Sequence, residues 1–289
     1  MTPATKDGED HTGRKCIVLG ASYGIGRAIA DLLSSRGAHV VYMSRSQDKL
    51  DAAISGRDNC HAVVVDATDE NSIKSGMEKA IICLGKSLDF VCYCPGYFGA
   101  DSYGSFEELF DSGNFDSGWE GSFNLHLKGM MSCFRYTRKY LLESPKGGCF
   151  IGLSSVAGSM GHPGAAIYAT CKAAVDMAIR QLALEYAPRG LRVFSIAPGL
   201  IHTPAIEGLG ADTDEFLKRV GDSHAQKRPG QPSEVAELAA FLCSERASFM
   251  TGGPIFVDGG CMLRSSLGDA IRPFFVKEDH AKTGSPMTT

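Results

Sequence analysis

Short apolar runs alternate with segments of helical spacing along most of the chain. The first run is Lys15–Leu19, and residues 25–36 then repeat their apolar side chains three and four positions apart until Gly37. Further strand-like runs lie at residues 39–43, 62–65, 90–94, 149–153, 191–196 and 254–257. Helical segments are predicted between them at residues 48–54, 72–84, 115–140, 165–186 and 233–242. Apolar strands that alternate with helices predict a parallel sheet covered on both faces.

No linker-like composition and no repeat divides this alternation. We therefore predict an α/β fold with one Rossmann-type domain over residues 14–262, built on a doubly wound parallel sheet of about seven strands. Residues 1–13 are predicted to form a polar tail and residues 263–289 a C-terminal extension. Residues 96–114 and 198–230 fit neither a strand nor a helix pattern, and each stretch follows the end of a predicted strand. Open α/β sheets bind ligands at these strand ends.

Composition narrows the classes of partner. Lysine and arginine total 29 against 33 acidic residues, a net charge of −4, which argues against a nucleic-acid surface. The absence of a long apolar run and of a signal-like N-terminus predicts a cytoplasmic protein that does not enter membranes. The ten cysteines form no C-x-x-C pair, so we predict reduced, buried core residues and no metal site.

A glycine-rich turn joins the first strand to the first helix. Glycines permit a sharp turn and a close approach of the backbone, and a helix N-terminus offers free N–H groups to a pyrophosphate. An ordinary strand-to-helix turn is the alternative, but the position after the first strand favours a dinucleotide. The predicted contacts in this turn are Gly20, Ser22, Tyr23, Gly24, Ile25 and Gly26.

The end of the second strand indicates which dinucleotide is bound. No acidic residue that would favour NAD follows Met43 until Asp48. Ser44 and Arg45 are predicted to hold a 2′-phosphate, which favours NADP over NAD, although Arg45 could instead be a solvated charge. After the third strand, Asp66 and Ala67 are predicted to lie at the adenine. Asp66 could instead cap the helix that begins near Asp69.

Tyr168 and Lys172 lie four residues apart at the start of a predicted helix, so both side chains share one helical face. Ser155 follows the strand at residues 149–153, in a loop that can return its hydroxyl to the phenol. Lys⁺ about 4 Å from a phenolate, at an effective dielectric near 20, stabilises it by roughly 4 kcal/mol. That equals about three pKa units, so we predict that Tyr168 is poised near pH 7.

Together these motifs resemble the classical short-chain dehydrogenase/reductase family. The glycine turn, Ser155, Tyr168, Lys172 and Pro198-Gly199 occur in the family's order, with the serine thirteen residues before the tyrosine. The resemblance implies an enzyme that moves a hydride between a nicotinamide and a carbonyl or alcohol. It also implies that Lys172 holds the nicotinamide ribose and that the chain forms a homotetramer or homodimer. Further cofactor contacts implied by the resemblance are Gly96, Pro198, Gly199, Ile201 and Thr203.

Two positions depart from the family pattern. His126 stands where the family has a catalytic asparagine, and it could keep that residue's main-chain role or add a titrating group. Tyr93-Cys94-Pro95-Gly96 replaces the usual Asn-Asn-Ala-Gly, so the asparagines' hydrogen bonds must be replaced or lost. Side chains that could face the substrate are Tyr97, Phe98, Met160 and His162.

The leading hypothesis is an NADP(H)-dependent oxidoreductase that interconverts a small-molecule ketone and a secondary alcohol, with catalytic Ser155, Tyr168, Lys172 and His126. A nucleotide-binding sensor or scaffold with little turnover is one alternative, motivated by the two departures. A cofactor-retaining isomerase is another. The fold alone does not decide among them, because one fold hosts many functions.

Overall fold

The structure is a computed structural model that describes residues 10–96, 103–207 and 213–263. The strands are β1 (Lys15–Leu19), β2 (His39–Ser44), β3 (Cys60–Val64), β4 (Phe90–Tyr93), β5 (Cys149–Leu153), β6 (Arg192–Pro198) and β7 (Gly252–Val257). The α-helices are α1 (Gly24–Ser35), α2 (Gln47–Ile54), α3 (Glu70–Cys83), α4 (Phe106–Asp111), α5 (Phe115–Phe123), α6 (Gly129–Leu142), α7 (Ala166–Tyr186), α8 (Pro204–Glu207), α9 (Thr213–Ser223) and α10 (Pro232–Cys243).

The seven strands form one parallel sheet in the order β3-β2-β1-β4-β5-β6-β7. This confirms the predicted single-domain, doubly wound Rossmann-type fold. The strand order reverses between β1 and β4, where the chain leaves β3 and returns to the centre of the sheet. The carboxyl ends of β1, β4, β5 and β6 therefore line one edge of the sheet, beside the crevice in which such sheets bind ligands.

Helices cover both faces of the sheet, most fully at its central strands, and successive strand residues pack in opposite cores. Val18 and Val40 pack in the core that includes α1 and α10, whereas Ile17 and Val41 pack in the core that includes α3, α6 and α7. This alternation explains why the strands are apolar throughout their length instead of at every second position. The sheet and the helices that cover it give the site at the carboxyl edge a rigid base.

Three details differ from the pattern predicted by sequence. The helices α4, α8 and α9 lie within residues 96–114 and 198–230, where the sequence pattern predicted neither strand nor helix. The predicted helix at residues 115–140 is interrupted by a π-helical turn at Asn124–Lys128. The prediction that all cysteines are core residues is wrong for Cys83, which is exposed on α3, and for the partly exposed Cys261. Among the described residues, no helix is both long enough and apolar enough to cross a membrane.

Candidate active site

The glycine turn after β1 is held tightly against its neighbours. The N–H groups of Gly20 and Ala21 both donate to the carbonyl of Met43, at 2.8 and 3.1 Å. Gly20 has a φ of +76°, a conformation that glycine adopts at little cost. A Cβ at Gly26 would overlap the carbonyl oxygen of Gly20 and approach the Cβ of Cys94 to 3.1 Å. The turn therefore requires glycine at both positions, as the sequence pattern predicted.

The N-terminus of α1 is free to bind an anion. Its first residue is Gly24, its N-cap residue Tyr23 makes no side-chain capping bond, and its first turn contains no acidic side chain. The first N–H groups of a helix have no partner within the helix and lie at the positive end of its dipole. Thr203 lies nearby, since its Cγ2 would be 3.4 Å from a Cβ at Gly24. Two predicted cofactor segments thus meet at this turn.

Ser44 and Arg45 lie at the carboxyl end of β2, next to this turn. Ser44 is the last residue of the strand, and its hydroxyl accepts from the N–H of Ser46 at 3.4 Å. Arg45 is exposed, and its positive charge contributes to lowering the pKa of Asp66. The ammonium of Lys49 lies 5.5 Å from the ring centroid of Tyr23. Arg45 and Lys49 therefore bring positive charge to the carboxyl end of β2, where a 2′-phosphate is predicted.

Asp66 does not cap α3. Asp69 is the N-cap residue, and its carboxylate accepts from the N–H of Asn71 at 2.9 Å. Asp66 instead accepts from the N–H and hydroxyl of Thr68, at 2.9 and 2.7 Å, and these bonds lower its pKa. Of the two roles left open for Asp66, helix capping is excluded and contact with adenine stays a prediction. The following residue, Ala67, is buried.

Ser155, Tyr168 and Lys172 meet at the carboxyl end of β5. Ser155 precedes a 3-10 turn, and its hydroxyl accepts from the N–H of Ala157 at 3.2 Å and hydrogen-bonds with the phenol of Tyr168. Tyr168 is 6% exposed and Lys172 2% exposed. The Lys172 ammonium lies 5.5 Å from the Tyr168 ring centroid. The predicted convergence of these side chains is observed.

The predicted pKa of Tyr168 is wrong in direction. Burial raises the pKa of this phenol to about 12, and the hydrogen bond with Ser155 offsets only part of the effect. The Nζ of Lys172 donates to the carbonyl of Leu153 at 2.9 Å, and its charge is not among the causes that shift the pKa of this phenol. Burial also lowers the pKa of Lys172 to about 8, despite the opposing charge of Asp176. Desolvation therefore dominates both groups.

His126 lies in the π-helical turn and faces the tyrosine. Its ring centroid is 5.4 Å from that of Tyr168, edge to face, and a Cβ at Gly96 would lie 3.9 Å from its Cε1. Neither of its ring nitrogens has a hydrogen-bond partner in the described part of the chain. Burial and the charge of Lys172 hold its pKa well below the ordinary value. The alternative of a group that titrates near neutrality is therefore wrong.

The altered end of β4 is explained by a new hydrogen bond. The buried phenol of Tyr93 donates to the carbonyl of Leu125, inside the π-helical turn. Gly129 leaves room for this phenol, because a Cβ there would overlap the Tyr93 hydroxyl. Tyr93 thus ties β4 to the turn that carries His126. The two departures from the family pattern are parts of one local arrangement.

Tyr103 is a site residue that sequence reasoning missed. Its ring packs against that of Tyr168 in a tilted arrangement, with centroids 5.3 Å apart and planes 31° apart. A short bridge between Gly104 and Ala165 holds it there, with the N–H of Gly104 donating to the carbonyl of Gly164 at 2.8 Å. No sequence motif marks Tyr103. Met160 and His162, which were considered instead, are exposed, and Tyr97 and Phe98 lie outside the described residues.

The loop after β6 faces the same crevice. The N–H of Gly199 donates to the carbonyl of Val257 at 3.0 Å, and the N–H of His202 donates to that of Gly230 at 2.9 Å. Ile201 is 6% exposed, and its N–H has no acceptor within the described ranges. Pro198 ends β6 and fixes where this loop begins. Within the described part of this loop, the Ile201 N–H is therefore available to a ligand.

Comparison with known proteins agrees with this geometry. Residues 20–262 match the model of a family described as enoyl-(acyl carrier protein) reductase. The chain is 34% identical over 260 residues to the cis-4-hydroxycyclohexanecarboxylate dehydrogenase of Sinomonas cyclohexanicum, covering 88% of this chain and 98% of that protein. It is 35% identical over 258 residues to the glucose 1-dehydrogenase of Gluconobacter oxydans, covering 87% and 92%.

A solved structure shows the same likeness in three dimensions. The crystal structure of gox2181 superposes with a TM-score of 0.81 at 27% sequence identity. The match covers 89% of this chain and 99% of that one. Both named relatives are dehydrogenases. From the sheet order, the converging serine, tyrosine and lysine, and these matches, the chain belongs to the classical short-chain dehydrogenase/reductase family of NAD(P)-dependent oxidoreductases.

Proposed function

We propose that this protein interconverts a ketone and a secondary alcohol with NADP(H), and that Tyr168 is its acid and base. The observation that carries the proposal is the meeting of Ser155, Tyr168 and Lys172 at the sheet edge that also holds an uncapped helix N-terminus. A nucleotide and a carbonyl would both reach this edge. Structural packing alone does not account for a lysine that is buried beside a buried tyrosine.

The residues at the crevice fit a dinucleotide. The free N–H groups at the start of α1 suit a pyrophosphate, and Arg45 at the end of β2 suits a 2′-phosphate. The N–H of Ile201, which has no acceptor among the described residues, suits the carboxamide of a nicotinamide, with Thr203 beside it. When bound, the cofactor supplies or accepts the hydride. Lys172 would hold the nicotinamide ribose through the ammonium protons that Leu153 does not use.

The chain's own residues handle the proton. Ser155 would donate its hydroxyl to the substrate oxygen and so orient the carbonyl between itself and Tyr168. With a pKa raised to about 12, Tyr168 is protonated at neutral pH, which is the form that donates a proton to a developing alkoxide. Its burial excludes water from that transfer. In alcohol oxidation the same oxygen, deprotonated, accepts the hydroxyl proton.

His126 would act beside this pair as a neutral imidazole. It offers one N–H donor and one acceptor to a group that enters the site, since both nitrogens are buried without partners among the described residues. The π-helical turn and the Tyr93 hydrogen bond fix its position. A neutral histidine can orient a polar group without supplying charge. We therefore assign His126 to orientation and leave the proton transfer to Tyr168.

For the substrate we propose a ring that carries a secondary hydroxyl or a ketone. The two relatives named above act on a hydroxycyclohexane and on glucose, which are both cyclic alcohols. In this chain the neighbouring ring of Tyr103 adds an apolar surface next to Tyr168, against which a ring can pack. We also propose a homodimer or homotetramer that uses α6 and α7, on which Met131, Met177 and Leu184 are exposed.

The direct test of this function uses NADPH with cyclic ketones, and NADP⁺ with the matching alcohols. We expect turnover in both directions and faster turnover with cyclic than with linear substrates of the same size. Tight NADPH binding without turnover on a broad panel would favour the sensor or scaffold instead. A product that is an isomer of the substrate, without net consumption of nicotinamide, would favour the isomerase.

Replacing Arg45 with alanine is expected to weaken NADPH binding about tenfold or more while changing NADH binding less than about threefold, because only NADPH presents a 2′-phosphate to the guanidinium. Fluorescence titration of both nucleotides measures this. Arg189→Ala is the matched control, since Arg189 is exposed and precedes β6 at the opposite edge of the sheet. Equal losses for NADPH and NADH in Arg45→Ala would contradict the assignment of NADP.

The pH dependence of the two directions is expected to differ. Alcohol oxidation needs the Tyr168 phenolate, so its kcat/KM should rise with pH, by up to about tenfold per unit below a pKa of about 12. Ketone reduction uses the protonated phenol and should not rise with pH. It should fall as Lys172, whose pKa is about 8, loses its charge. Rates measured in both directions at constant ionic strength check this, and parallel profiles would contradict the role of Tyr168.

A further inference from the structure

His224 follows α9 immediately and is buried, with 2% of its surface exposed. Its ring occupies the space between two glycines of the sheet edge. A Cβ at Gly199 would lie 2.6 Å from the Nε2 of His224, and a Cβ at Gly259 would lie 3.5 Å from its Cδ2. The ring therefore sits against the loop after β6. None of the motifs that indicate the family includes this residue.

Both ring nitrogens of His224 are hydrogen-bonded, and the bonds fix the tautomer. The N–H of Leu200 points to Nε2 at 3.1 Å, and a backbone N–H can only donate, so Nε2 is the acceptor. Nδ1 therefore carries the proton in the neutral ring and donates to the carbonyl of Val220 at 2.9 Å. His224 joins the last turn of α9 to the loop after β6 through a donor and an acceptor.

This connection lies next to the N–H of Ile201. Of the successive N–H groups from Gly199 to His202, those of Gly199, Leu200 and His202 donate to Val257, His224 and Gly230. The N–H of Ile201 is left without an acceptor in the described part of the chain. His224 accepts from the Leu200 N–H and so holds the amide directly before Ile201. A rotation of the Leu200 amide would move the Ile201 amide with it.

We propose that His224 is a positioning residue for the nicotinamide. By accepting from Leu200 and donating to α9, it holds the Ile201 N–H in the direction of the nicotinamide carboxamide. This inference rests on the proposed function, since it assigns a partner to the Ile201 amide. It adds that α9 and the cofactor loop are connected through one imidazole. His224 touches neither substrate nor cofactor.

The experiment compares His224→Leu, which removes both hydrogen bonds, with His224→Gln, whose side-chain oxygen can take the acceptor position of Nε2. Affinities are measured for NADPH and for ADP-ribose 2′-phosphate, which is the same nucleotide without the nicotinamide. Ser223→Ala is the matched control, because Ser223 contacts His224 Nδ1 at 3.3 Å but makes no bond with the loop. Thermal unfolding of every variant is recorded alongside.

We expect His224→Leu to bind NADPH about tenfold or more weakly, since a buried amide loses its acceptor, and to bind the ADP-ribose nucleotide like wild type. His224→Gln should recover most of the NADPH affinity, and Ser223→Ala should not change it. Three results would overturn the proposal. The first is an equal loss of affinity for both nucleotides in His224→Leu, and the second is NADPH binding by that variant within threefold of wild type. The third is a folded His224→Gln that binds NADPH no better than His224→Leu does. A wild-type protein that binds neither nucleotide would overturn the proposed function itself.

Discussion

Tyr168→Phe is expected to lower kcat for ketone reduction by roughly 10²- to 10⁴-fold, because the variant keeps the ring but removes the proton donor. NADPH affinity should stay within about threefold of wild type, since the phenol oxygen is one of many groups at the site. The ring contacts with Tyr103 and His126 involve the aromatic face and edge, which phenylalanine retains. Single-turnover rates and nucleotide titrations separate the two effects.

The control for this substitution is Tyr136→Phe. Tyr136 lies on α6, and its hydroxyl donates to Glu70 at 3.0 Å, outside the crevice. It should show unchanged turnover and unchanged NADPH affinity. A Tyr168→Phe enzyme that is folded, binds NADPH and retains more than about a tenth of wild-type turnover would show that another group donates the proton.

Gly26→Ala is expected to weaken NADPH binding by about a hundredfold or more and to destabilise the fold by about 1–3 kcal/mol. A single methyl group there would overlap the Gly20 carbonyl and press on Cys94, so the turn must open and α1 must shift. Both changes move the N–H groups that receive the pyrophosphate. Denaturant unfolding gives the loss of stability, and titration gives the loss of affinity.

Gly121→Ala is the matched control, because Gly121 is a helical glycine in α5 whose Cβ would meet nothing within 4 Å. It should leave binding unchanged and raise stability by up to about 1 kcal/mol through the lower entropy of the unfolded chain. If Gly26→Ala also bound NADPH normally, the turn after β1 would not be the pyrophosphate site.

The sequence predicted those features that depend on local pattern. Seven apolar runs became the seven strands, and the turn at Gly20 and the pair Tyr168 and Lys172 lie at the predicted edge. The strands and the Tyr168–Lys172 pair follow from the spacing of side chains along a strand or a helix. The turn follows from glycine at positions whose backbone conformation or close contacts exclude a side chain. The sheet order then follows from the few ways in which alternating strands and helices connect.

Features that depend on distant contacts could not be predicted in this way. Tyr103 reaches Tyr168 only because a bridge joins Gly104 to Ala165, and His224 reaches Leu200 only through the packing of α9. Neither contact leaves a periodic signal. The π-helical turn likewise keeps helical spacing on both sides and so is hidden in the sequence.

The error in the pKa of Tyr168 has a physical origin. A lysine charge about 4 Å from the phenolate would lower the pKa of Tyr168, but burial of the phenol acts in the opposite direction. In the structure the Lys172 ammonium is directed to the Leu153 carbonyl, and desolvation of the phenol raises its pKa. Spacing along a helix fixes which residues share a face but not where the end of a long side chain points. The protonated phenol that results is suited to reduction.

The central claim is hydride transfer from NADPH to a carbonyl with Tyr168 as the proton donor. Its most direct test is one turnover of a cyclic ketone with NADPH deuterated at the transferred position, followed by mass analysis of the alcohol from wild type and from Tyr168→Phe. The account predicts one deuterium on the carbinol carbon with wild type and almost no labelled alcohol with the variant, although both bind NADPH. Labelled alcohol formed equally by both proteins, or by neither, would contradict it.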